Sequence, residues 1–238
     1  MPLIRINTYL QKEGYASRRG ADTLIEKGIV FVNGEKATIG QKIDAEKDTV
    51  TVEGKDKLEY IYCAYYKPRG IVTVNAQDEE EEIKDVLNDM QDKSLFPVGR
   101  LDKESEGLII LTNDGRVTSA LTGKDTVFEK EYRVSIDRDI TNTFIQKMRN
   151  GVTINIGIKK YVTKPTQIRK VTNTSFDIIL TEGKNRQIRK MSGACGGKVT
   201  MLKRIRIETI SLGRLKAGQL KLIKGDELKE FLTLLNIK

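Results

Sequence analysis

In the stretch "PVGRLDKESEGLIILTNDGR", residues 97–116, Asp102 stands between Arg100 and Lys103, a few residues before the apolar run 108–111. A carboxylate flanked by cations on the approach to a buried strand can be a surface ion pair, a turn residue or a reactive group at the mouth of a cleft. The chain holds no histidine. That removes the usual general base, the usual metal ligand and every Ser-His or Cys-His nucleophile pair. Asp, Glu, Tyr, Lys and Arg remain, together with backbone amides, and they suit carboxylate nucleophiles, phenol-assisted proton transfer and the holding of phosphates. Cys63 and Cys195 lie far apart and have no metal-ligand spacing, so neither a zinc site nor a disulfide framework is expected and both read as reduced thiols.

Composition narrows the class of protein that these groups serve. The 238 residues suffice for one large or two modest domains. Hydrophobic residues make up 38%, no apolar run approaches the roughly 20 residues that span a bilayer, and the N-terminus lacks the apolar segment of a signal peptide. A soluble cytoplasmic protein with no membrane partner is expected. Net charge is +9, but residues 159–224 alone carry 17 Lys and Arg against Asp177, Glu182 and Glu208, a local balance of +14. Such an excess attracts a polyanion in a salt-dependent way, or else forms a solvated basic surface. The run 77–92, by contrast, is acidic and should face away from nucleic acid.

Two units are expected to position these groups. In the first, Ile6, Tyr9 and Leu10 are spaced for a short helix ended by Gly14. Ser17 can cap a second helix with Ala21, Leu24 and Ile25 on one face, and Gly28 closes it. "IVFVNGEKA" carries the tight-turn pair Asn33-Gly34 and "DTVTVEG" alternates like a strand. The second unit starts near Tyr60, where two strands are expected around the turn Lys67-Pro68-Arg69-Gly70. Further strands are predicted at "GLIILT", "KEYRVSI", "GVTINI", "SFDIIL" and "IETISL", and helices at 82–90, 116–122, 140–149, 185–194 and 226–235. Strands and helices mix without the regular alternation of a doubly wound sheet, so the fold class is α+β with a largely antiparallel sheet.

Residues 4 to about 54 resemble the αL RNA-binding motif shared by a small-subunit ribosomal protein and several RNA-modifying enzymes. A capped helix beginning at Arg18-Arg19 would set two guanidinium groups beside free backbone amides, a site suited to a phosphate. Segment 1–56 has nine basic and nine acidic residues, so its RNA affinity must come from clustering rather than bulk charge.

"GRLDKESEGLIILTNDG" resembles the signature of the ribosomal RNA pseudouridine synthases that carry this same N-terminal module. "YKPRGIV", "EKEYRV" and "EGKNRQIRKM" follow as further landmarks in order, and the nearest likeness is to the subgroup acting on large-subunit RNA. The resemblance implies an αL-type domain over 1–56 and a catalytic domain over 60–238. It implies Asp102 as the catalytic aspartate, with Tyr132 against the flipped base and Arg189 as the active-site cation. Arg100 would fill the space vacated by the base and pair with Asp102 in the free enzyme. Ile188 would pack beneath the base, and Lys67 would contact the substrate. Arg18, Arg19, Arg186 and Lys190 would bind the RNA backbone. The expected protein is a monomeric isomerase that needs no metal or other cofactor and takes ribosomal RNA as its partner. Its rival is a non-catalytic RNA-binding or ribosome-assembly factor. Arg186 replaces a His common among relatives, and no long basic tail follows the last helix, which throws more of the RNA contact onto 159–224.

Overall fold

In the N-terminal unit, apolar residues at helical spacing close a small core of their own. Ile6 and Leu10 of helix Ile6–Lys12 meet Ala21, Leu24 and Ile25 of helix Arg18–Glu26 over Val30, Val32 and Ile43. Ser17 caps the second helix by accepting a hydrogen bond from Gly20 N. Asn33 and Gly34 both take positive φ, 52° and 86°, and this lets strands Val30–Val32 and Glu35–Lys36 pair across the expected two-residue turn. The computed structural model describes residues 3–54, 59–77, 80–89, 95–123 and 127–237, without the side chains of Arg18, Arg19, Val86, Asn88 and Asp89.

The larger unit is built on a mixed sheet. Its strand order is Gln167–Lys170, Ser175–Leu180, Lys130–Ile136, Val199–Ile207, Glu106–Thr112, Tyr62–Lys67, Leu220–Leu222, with Phe96–Val98 and Ile210–Ser211 pairing at its margins. Every pairing between these strands is antiparallel except one. Where Val199–Ile207 meets Glu106–Thr112, the strands run parallel over Lys203–Glu106 and Arg204–Gly107. This seam divides the sheet into two halves with separate cores.

On one side of the seam, helices Asn142–Asn150 and Gln187–Ala194 cover Val134, Phe176 and Ile178 with Phe144, Met148 and Met191. On the other, helices Gly115–Thr122 and Gly225–Leu234 cover Tyr62, Ala64, Leu108 and Ile110 with Val117, Leu121 and Phe231. The opposite face of that half packs Cys63, Tyr65, Ile109 and Leu111 against Ile83 and Leu87 of helix Ile83–Asp89. Burial on both faces makes "YCAYYK" and "GLIILT" continuous rather than alternating runs.

Three expectations need correction. No strand forms after the Lys67–Gly70 turn; Val72 makes only an isolated bridge to Glu82, and Thr73 is buried as a hydrogen-bonding residue. The run expected as a strand at 207–212 is broken, because Glu208 adopts φ 48° and turns the chain back on itself. The principal strand in that region lies earlier, at Val199–Ile207. "GVTINI" does contribute the strand Thr153–Ile156, but it pairs with Lys159–Val162 in a hairpin outside the main sheet.

Candidate active site

Asp102 sits on the short turn that leads into the Glu106–Thr112 strand, at the seam between the two halves of the sheet. Ser105 N donates to Asp102 O (3.0 Å), which closes the turn. Thr73 braces it from one side: Leu101 N donates to Thr73 Oγ1 (3.0 Å) and Thr73 Oγ1 donates to Leu101 O (2.7 Å). Gly70 N donates to Lys103 O (2.8 Å), which ties the turn to the Lys67–Gly70 loop. Arg189 holds it from the far side through Nη2, 3.2 Å from both Glu104 O and Ser105 Oγ. A carboxylate on a turn braced from three directions is preorganised. Its side chain remains 34% exposed and so open to a substrate.

The charges around it differ from the expected set. Arg100 is exposed, and among the described residues it makes no ion pair with Asp102. Arg186 takes that place: its Nη1 lies 3.9 Å from Asp102 Oδ2 and 2.7 Å from Glu104 Oε2. Arg186 reaches across because it adopts a left-handed φ of 52° just before helix Gln187–Ala194. Its hydrogen bond, helped by its charge, holds the Glu104 carboxyl below its ordinary range.

Arg189 therefore acts on the loop around Asp102, and no direct contact with the carboxylate forms. Its guanidinium is pushed below its usual value chiefly by burial and then by the charge of Arg186. Its buried Nε finds no hydrogen-bond partner in the protein. Lys190 is half-buried and donates from Nζ to Asn185 Oδ1 at 3.3 Å.

Lys67 and Ile188 are both buried. Lys67 is 0% exposed, with Nζ donating to Pro68 O (2.8 Å) and Ile71 O (2.6 Å). Burial drives its pKa down from 10.5 to about 8, against the opposing pull of Asp102 and Glu106. It supports the loop below Asp102 and does not face the cleft. Ile188, expected beneath the base, is 4% exposed and belongs to the core with Val134, Phe176 and Met191. Tyr132 is half-buried against that same core, on the strand neighbouring the seam, where its backbone position pairs with Arg204 and Ile178. The side chains of Arg18 and Arg19 lie outside the described residues.

Thr73, Glu104, Ser105 and Arg204 were not legible as site residues in the sequence. Arg204 is 3% exposed, donates from Nε to Leu108 O at 2.7 Å, and leaves Nη2 without a partner. It was one cation among 17 in its segment, and only the fold separates a buried cation from a solvated one. Thr73 carried a weak signal in "YKPRGIVTV", since it lies just past a turn expected at the site. Among the described residues no three His, Cys, Asp or Glu side chains converge as metal ligands, and no helix is long and apolar enough to cross a membrane.

Comparison with known proteins shows the family and the fold of the chain. The family described as RNA pseudouridylate synthase matches residues 61–194, and the S4 domain matches residues 4–50. The chain is 39% identical over 236 residues to the dual-specificity RNA pseudouridine synthase RluF of Salmonella typhi, covering 97% of this chain and 79% of that protein. It is 34% identical over 248 residues to an uncharacterized RNA pseudouridine synthase of Aquifex aeolicus, covering 99% and 96% of the two chains. A crystal structure of a pseudouridylate synthase superposes with a TM-score of 0.68 at 24% identity, covering 95% of this chain and 98% of that one, a likeness of fold.

Proposed function

The chain belongs to the RNA pseudouridylate synthase family, and from that premise we propose that it converts a uridine of ribosomal RNA, in the large subunit, to pseudouridine through Asp102. The reaction breaks the bond between ribose and uracil nitrogen, turns the base, and rejoins it through carbon; the proton held on that carbon leaves and the freed nitrogen takes one up. Atoms balance without oxidant, reductant or energy source. A nucleophile, proton transfers and a grip on the flipped nucleotide suffice.

One observation carries the assignment of Asp102: a partly exposed carboxylate, beside Arg186, on a turn braced by Thr73, Gly70 and Arg189. Tyr132 serves as the stacking platform across the seam, a contact worth roughly 1–3 kcal/mol per base. Arg100, exposed and unpaired with Asp102, is free to enter the helix as the base leaves. Arg189 is a positioning residue for the turn. The chain divides into an S4-type RNA-binding domain over 1–56 and a catalytic domain over 60–238. It works as a cytoplasmic monomer without metal or other cofactor.

Release of tritium from ribosomal RNA labelled at the uracil carbon tests this reading, and mapping of pseudouridine then locates the target. Asp102→Asn is expected to lower the rate by about a thousandfold or more while RNA binding persists. An active Asp102→Asn protein would overturn the assignment. A wild-type protein that binds RNA but releases no tritium would favour the non-catalytic reading.

A further inference from the structure

Beside the Asp102 turn, the protein forms a cavity of about 390 Å³. Its walls bring together four cations from three parts of the chain: Arg138 after the Lys130–Ile136 strand, Arg186 and Arg189 around the start of the Gln187–Ala194 helix, and Lys198 before the Val199–Ile207 strand. One carboxylate, Asp137, joins them.

The cations are not equally available. Arg186 is paired with Glu104. Asp137 accepts a hydrogen bond from Lys198 N (2.9 Å) and lies 3.5 Å from Arg138 Nε. That backbone hydrogen bond holds Asp137 below its ordinary pKa, so it stays ionised and clips the two loops together. Arg138 is nevertheless 60% exposed, Lys198 is exposed, and Arg189 carries its charge in a partly desolvated setting. The wall between them is glycine-rich. A Cβ on Gly197 would come within 2.9 Å of Ile136 Cδ1, and Gly196, at φ 89°, lies along Arg138 Nη1. The amides of Gly196 and Gly197 are spent on Gly193 O and Ser192 O. Recognition therefore falls to the guanidinium and ammonium groups, and they suit a ligand with several acceptor oxygens and a negative charge.

We propose that this cavity seats a backbone phosphodiester of the RNA immediately flanking the target uridine. The inference rests on the uridine-isomerase reading and extends it. Arg186 and Arg189 each serve two places: they line the cavity and also touch the Asp102 turn, one beside the carboxylate and the other through Glu104 O and Ser105 Oγ. Through these two arginines a phosphate held there is joined directly to the turn that carries Asp102. The volume falls in the range of small-ligand pockets rather than bare-ion sites, which accommodates a phosphate with its sugar. Anchoring the backbone beside the flip keeps the strand in register while the base is out of its stack.

The first test compares two double variants on ribosomal RNA fragments across a salt series. Arg138→Gln with Lys198→Gln removes the two exposed cations of the cavity that make no contact with the Asp102 turn. Lys224→Gln with Lys229→Gln removes two exposed lysines from the far half of the sheet. The first pair is expected to weaken binding about tenfold and to lower the slope of log K against log salt by about 1 to 2, and the second to change both far less. Equal effects from the two pairs would overturn the proposal.

The second test keeps the protein unaltered. A neutral methylphosphonate replaces the phosphodiester on either side of the mapped uridine. On one side it should weaken binding to the wild type about tenfold and weaken binding to the Arg138/Lys198 variant several-fold less. Equal loss in both proteins would refute the seat. Absence of tritium release with the salt-slope difference intact would instead sink the isomerase reading and leave the anion site standing.

Discussion

Lys67 shows how one buried charge can be read in two ways. Sequence places it beside a turn near the site; the fold seals it at 0% exposure, with its ammonium on two loop carbonyls and Arg204 nearby. With its pKa lowered from 10.5 in the unfolded chain to about 8 in the folded one, the unfolded chain binds more protons between those values. Stability should therefore rise with pH through that window and level off at its lowest below 8, the cost at neutral pH being about 3 kcal/mol. Urea midpoints for the wild type and Lys67→Met, at pH 7 and again near pH 10, isolate this contribution. The wild type should gain about 2–3 kcal/mol on the variant over that interval. A difference that stays constant with pH would show that the ammonium is not desolvated. At the same scale, the carboxylate proposed as the active one stood out in "GRLDKESEG", but its ion partner did not. Arg186 lies 84 residues downstream of Asp102, and a left-handed backbone angle brings it to the turn.

At the scale of elements, the seam is the feature on which the site depends. Gly107 has φ 109°, and a Cβ there would overlap the Arg204 carbonyl and lie 2.7 Å from Arg204 N. Only glycine allows the two halves of the sheet to approach this closely. Gly107→Ala is expected to cost more than about 3 kcal/mol and to abolish activity by prying the seam apart. A variant melting with unchanged cooperativity and within about 1 kcal/mol of the parent would show that the seam relaxes cheaply. "KEYRVSI" and "SFDIIL" were legible as strands to the residue, because β-branched and aromatic residues there face a sheet with steady periodicity. Val199–Ile207, the longest strand, was not. Two irregularities in its pairing, at 199–201 and 204–206, break the alternation, and its cations Lys203, Arg204 and Arg206 read as a basic surface. Inside the sheet Arg206 is matched by Glu129 and Glu131, Lys203 by Glu106, and Arg204 by a backbone carbonyl.

At the scale of the whole molecule, the N-terminal unit has its own core, drawn entirely from residues 4–52, and its contacts with the rest include Tyr60 and the Gln11 side chain beside Gly115. Tyr60 Oη donates to Gln11 O at 3.3 Å, and its ring lies under the Arg116 guanidinium, 4.5 Å away. Deleting residues 1–56 is expected to leave a cooperative melt, as the other clusters lose no member, while RNA affinity falls about a hundredfold through loss of the second binding module. A truncated chain that fails to melt cooperatively would show that the two cores fold as one. Sequence alone determined the two-unit organisation, the α+β class, the chemistry left to a chain without histidine, and the acid to watch. These follow from residue type and local periodicity, which are properties of short segments. Tertiary structure alone decided which of the many cations are spent inside the sheet, which reach Asp102 and which line a cavity beside it. Charge is counted along the chain, but desolvation and pairing depend on distances that only folding sets.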